Sequence, residues 1–326
     1  MQSAPVEPPR PEVAAPLGGW WTEDGLYARV HAAPEDMATA RRLAAHAATA
    51  VPRLAERLGV RAGGRLDVYV APTQEDFARL QPGVPPDWAD GTAWPQHGLV
   101  FLRAPSARLQ ATDPLEQVLD HEIVHVLVGR AFAEGGARSG PPRWLQEGLA
   151  QWMSGELGPD TARTLSEGGI IPLTELTRGF PADPIRARLA YAASVDFVGF
   201  VASEWGEDAL RGLLHGMAGG MDVEDALLAA TGESFTSVEA AWRADWADPV
   251  FWARLARVST DALWALAAVG IVVGAFRVRK RNRVRLDRWE REEELARALA
   301  EARAAAQAYD ADAPYHRPVW AASTAW

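Results

Sequence analysis

Apolar residues recur along this chain with two periods, and the period changes as the chain proceeds. Residues 66–71 (LDVYVA) alternate apolar and polar and predict a strand, 98–103 (GLVFLR) predict another, and 20–30 alternate loosely enough for one more. Between them, 35–58 place Met37, Ala40, Leu43, Ala44, Ala47, Val51, Leu54 and Leu58 at helical spacing, interrupted by Pro52 and stopped by Gly59. Thr73, with Asp76 three residues on, predicts the N-cap of a short helix ending near Leu80. Residues 81–96 carry prolines and tryptophans and read as a loop, as do the glycine-bearing 130–140. The rest is helical in pattern: 114–128, 141–153, 183–205, 207–217, 222–230 and 235–254. The sum is an α+β fold with a small sheet early and helices late, and without an internal repeat. A proline-rich stretch, 1–19, leads into it.

One segment is apolar on every side. Residues 262–276 (ALWALAAVGIVVGAF) carry no charge, and Arg277, Arg279, Lys280, Arg281, Arg283 and Arg285 follow at once. Fifteen helical residues span roughly 22 Å, so flanking residues must extend the span toward the roughly 30 Å of a bilayer core. We expect a transmembrane helix over 258–278. The basic cluster then places a charged helical tail, 279–326, in the cytoplasm and the rest of the chain outside the cell membrane. The sequence MQSAPVEPPR has no apolar signal core, so the expectation includes an export signal missing from this version. Charge follows the same division. The 326 residues carry a formal −10, which separates into −13 over residues 1–276 and +3 over 277–326. That acidity argues against nucleic acid as a partner. The chain has no cysteine, which excludes thiolate metal sites and a cysteine nucleophile.

The candidate chemistry lies in the helix predicted over 114–128. His121 and His125 stand four apart and so share a face one turn apart, able to hold one metal ion; Glu122 lies beside that face. Such a five-residue match arises by chance in about one percent of chains of this size, so context decides. Val118, Leu119, Ile123, Val126 and Leu127 make this a core helix, where imidazoles and carboxylates are costly unless paired or metal-bound. The next predicted helix sets Glu147 among Trp144, Leu145, Leu149 and Trp152, a buried carboxylate within reach as a third ligand.

HEIVHVLV followed by PRWLQEGLAQWMSGE resembles the gluzincin metallopeptidases, and most of all the peptidase MA-like group. The flanks LDVYVAPTQEDFARL, YAASVDFVGFVASEWGEDALRGLL and EAAWRADW are similar to that group's as well, so the resemblance spans roughly residues 20–250. It implies a thermolysin-like, gluzincin-like catalytic domain over 20–257 that binds one Zn2+ through His121, His125 and Glu147. It implies Glu122 as the base that assists a zinc-bound water, and a peptide or protein substrate lying extended along a sheet edge, for which 98–103 is the candidate. Tyr191 matches the tyrosine that related families use to stabilise the tetrahedral intermediate. Some gluzincins orient a ligand histidine with an acidic residue one turn after the ligand glutamate. Here that position is Gln151, leaving Asp120 or Glu116 as candidates for the role. Two other readings stay open: a non-catalytic membrane-anchored protein that holds an extended polypeptide, and a structural membrane protein with an incidental histidine pair. Substrate identity and oligomeric state are not legible in the sequence.

Overall fold

Alternation becomes one five-stranded sheet: β1 (Trp21–Asp24), β2 (Ala28–Ala32), β3 (Leu66–Ala71), β4 (Gly91–Trp94) and β5 (Leu99–Arg103), in the order β1-β2-β3-β5-β4. β2, β3 and β5 run parallel, and β1 and β4 lie antiparallel on the two edges. This computed structural model describes residues 13, 15, 19–81, 83–86, 88–108, 113–137, 139–157 and 159–246. The membrane segment expected over 258–278, the tail 279–326, the end of the helix expected over 235–254 and nearly all of the 1–19 lead-in lie outside them. Among the described residues no helix is long and apolar enough to cross a membrane.

Two strand expectations change. The loose alternation of 20–30 is a hairpin, β1 and β2, turned where the Gly25 amide donates to the Ala28 carbonyl at 2.9 Å. The segment 81–96 contains β4, whose four residues are all half-buried, so no alternation marks it. Because β4 pairs with β5, the strand at 98–103 is interior, and β4 forms that edge of the sheet instead.

Register sorts the side chains by face. Val30, Val68 and Val100 align across the three parallel strands, and all are fully buried. They share one core with α1 (Met37–Leu58) and α3 (Leu115–Gly135). On the other face His31, Tyr69 and Phe101 align, with ring centroids 4.5 and 5.4 Å apart. Phe77 of α2 (Gln74–Arg79) packs on that face, its helix capped by Thr73, whose hydroxyl accepts from the Asp76 amide. α1 runs through Pro52 unbroken. α3 continues beyond the expected end at 128 because Phe132 prolongs its buried stripe.

The helical half follows as α4 (Arg143–Ser154), α5 (Pro159–Gly168), α6 (Pro184–Trp205), α7 (Glu207–Ala218), α8 (Val223–Thr231) and α9 (Phe235–Trp246). α5 is short, and Leu165 is its buried residue. The Asp183 carboxylate caps α6 by accepting from the Arg186 amide at 2.9 Å. α9 is tied back to α6 by Trp242 and Trp246, whose indole N–H groups both donate to Asp196 at 2.7 Å. Gly148 decides how close α4 comes to α6: a Cβ there would stand 2.5 Å from the Ser194 carbonyl oxygen and 2.7 Å from Val198. A mid-helix glycine costs about 1 kcal/mol in helix propensity. Here it brings the helix carrying Glu147 against the helix carrying Tyr191.

Candidate metal centre

Helical geometry projects residues four apart to one side, and α3 presents His121 and His125 to a cleft of about 510 Å³. α4 brings Glu147 to the same place. The two Nε2 atoms are 3.1 Å apart, and one Glu147 oxygen lies 3.4 Å from the first and 3.6 Å from the second. Glu147 is 3 % exposed, and with Asp120 and Glu122 it makes up the buried carboxylates among the described residues. All three sit on the α3–α4 pair.

Protons explain why this triangle is unusual. His121 Nδ1 lies 2.7 Å from the Glu156 carboxylate, which can only accept, so Nδ1 carries the hydrogen. In the neutral ring Nε2 is then a lone pair, aimed at another imidazole nitrogen and a carboxylate oxygen. Such a cluster of acceptors asks for a shared cation. Zinc bonds of 2.0–2.1 Å at a tetrahedral angle require donor spacings of roughly 3.3–3.4 Å, which the three observed separations bracket. The donors therefore fit one zinc ion, with room for a further ligand from the cleft.

The electrostatics agree with that fit. Burial works against a charged His121, but its bonds to Glu147 and Glu156 prevail and hold the imidazole well above the usual histidine range. Burial likewise opposes a charged Glu147, yet His125 and His121 hold it well below the usual carboxylate range. A proton thus occupies the ground that a metal would take. Glu122 behaves differently. It is 5 % exposed, no side chain among the described residues hydrogen-bonds it, and burial raises its pKa against the pull of the two histidines. The edge strand presses on it: a Cβ at Gly91 would stand 2.8 Å from Glu122 Oε1.

Tyr191 lines the same cleft and keeps its proton, because burial and the negative charge of Glu147 push its pKa up. His121, Glu122, His125, Glu147 and Tyr191, all expected from the sequence, therefore meet in one place. The expected partners of the ligand histidine do not. Asp120 is taken by His46 at 2.7 Å and Arg53 at 2.6 Å, and Glu116 by Arg42. Glu156 takes the role instead. It follows Gly155, which ends α4 in the left-handed conformation (φ 84°), and it also accepts from Ser154 Oγ at 2.7 Å. Trp88 lines the cleft and meets Tyr191 edge-on at 5.6 Å.

Residues 46–247, more than half the chain, match the family model for the Peptidase MA superfamily. The chain belongs to the Peptidase MA superfamily. No curated protein matches it. Two similar solved structures are both yeast LTA4 hydrolase. One, in complex with bestatin, is 13 % identical with a TM-score of 0.40, over 65 % of this chain and 36 % of that one. The other, native, is 14 % identical with a TM-score of 0.40, over 70 % of this chain and 38 % of that one. This Peptidase MA superfamily member thus spans well under half the length of the solved structures it matches.

Proposed function

We propose that this protein is a zinc-dependent peptidase. The observation that carries the proposal is the triangle of His121, His125 and Glu147, with the Glu122 carboxylate adjoining it in the same open cleft. His121, His125 and Glu147 would hold the zinc, which when bound supplies Lewis-acid chemistry, making water nucleophilic near neutral pH and polarising a carbonyl. Glu122 accepts the proton lost by the attacking water and returns it to the leaving amine; its raised pKa suits both directions of transfer. Tyr191, still protonated, donates to the carbonyl oxygen as that oxygen gains charge. Asp90 to Ala93 line the cleft, so the free side of β4 offers backbone pairing to an extended peptide.

The same proposal includes the membrane anchor over 258–278, with the catalytic domain outside the cytoplasm and the tail within it. The apolar run and the basic cluster behind it support this reading. A non-catalytic holder of extended polypeptides would have no use for Glu122, since packing does not require a carboxylate there.

Cleavage of a casein-like substrate and of a peptide library by the full chain tests the activity. We expect internal cleavage that stops on chelation and returns with zinc; cleavage indifferent to chelation would contradict the proposal. For topology, a reporter joined after Trp326 is expected to be active in the cytoplasm alone, and activity outside would overturn the orientation.

A further inference from the structure

Arg143 is the one lysine or arginine among the described residues lining the cleft. It opens α4, one turn before Glu147, and its Nη2 donates to Glu147 Oε1 at 2.7 Å. The oxygen that faces the histidines is the other one, Oε2. The Arg143 Cζ lies 5.9 Å from the centroid of the Phe180 ring, and Phe180 meets Tyr191 edge-on at 4.7 Å. Its backbone is fixed as well, since the Arg143 amide donates to the Thr177 carbonyl at 3.1 Å. The guanidinium therefore stands between the Glu147 carboxylate and the Phe180 ring.

A guanidinium has donors and no acceptor. Toward Glu147 it occupies one carboxylate oxygen and leaves a single oxygen for the metal site. We infer that Arg143 is a positioning residue that commits Glu147 to one-oxygen ligation, holding Oε1 and leaving Oε2 to the metal site. The inference rests on the peptidase reading above. A lysine keeps the charge on a flexible stem without the planar fork. Charge and shape are therefore separable by experiment.

The test uses the full chain as wild type, R143A and R143K. Zinc affinity is read on metal-free protein by competition with a chromophoric chelator, independently of turnover. R143A is expected to weaken zinc about 10–100-fold. R143K is expected to recover zinc affinity to within about threefold, because one ammonium still holds Glu147. R143A within about threefold of wild type would overturn the inference, as would an R143K as weak as R143A. If R143A fails to fold by circular dichroism, R143Q takes its place with the same expectation. A wild type that binds zinc but cleaves nothing would defeat the peptidase reading alone, and the affinity comparison would still judge this inference.

Discussion

Two carboxylate–histidine clusters flank the same turn of α3, and they are opposites. Asp120 faces α1, where His46 and Arg53 each donate to one of its oxygens at 2.7 and 2.6 Å. Every acceptor there has its donor, and the result is a closed clamp between two helices. His121, the next residue, faces the cleft, where two imidazole nitrogens and a carboxylate oxygen crowd together around the proton that His121 holds in the place of a metal. Both clusters combine histidine, arginine and acid. What separates them is whether donors balance acceptors, and imbalance marks the side that needs a metal. Glu122 extends the contrast as a buried carboxylate without a hydrogen-bonding side chain among the described residues.

The sharpest way to break this contrast is at Glu122. E122Q is expected to keep zinc at wild-type stoichiometry and to lower kcat by about 10²–10⁴-fold, the usual weight of a general acid–base. Peptide turnover within a few-fold of wild type would remove Glu122 from the chemistry. Next in size is G91A. Its Cβ would meet Glu122 Oε1 at 2.8 Å and displace it, so kcat should fall on the order of 10²-fold while metal titration shows zinc affinity unchanged. E156A comes third, with zinc affinity weakened about 10–100-fold in a chelator competition, since His121 loses the partner that fixes its tautomer.

The pH dependence of zinc binding is a further sharpening. His121 holds its proton well above the usual histidine range, so zinc must displace it. Apparent affinity should fall as pH falls, by about tenfold per unit, starting above the ordinary value of about 6.5. The metal-free chain should show the reverse trend in a melting scan. A raised folded-state pKa stabilises the fold below the ordinary value, and this stabilisation is lost as pH rises through the raised one. The smallest effect belongs to the clamp. D120N should cost about 1–3 kcal/mol of stability, read as a lower Tm, and leave zinc affinity untouched.

How much of this was legible in the sequence depends on what each feature rests upon. The histidine pair was legible because i, i+4 spacing fixes a shared face, and Glu147 because a lone carboxylate in an apolar helix needs a partner. β3 and β5 showed themselves by alternation or an apolar run. β4 did not, since GTAW is half-buried throughout, and so the edge was assigned to its neighbour. α5 is short and buries a single apolar side chain, Leu165. Glu156 depends on a left-handed turn at Gly155, and Arg143 on how α4 and Phe180 close around the cleft. Both are properties of assembled helices, which spacing along the chain does not contain.

The central claim is that the unbalanced side of α3 is a one-zinc site. Equilibrium dialysis of the full chain against zinc, followed by metal analysis, tests it most directly. The account predicts one ion per chain in the wild type and in D120N, and near-complete loss in H125A and E147A. A wild type that leaves dialysis without stoichiometric zinc, or an H125A that retains it, would contradict the account.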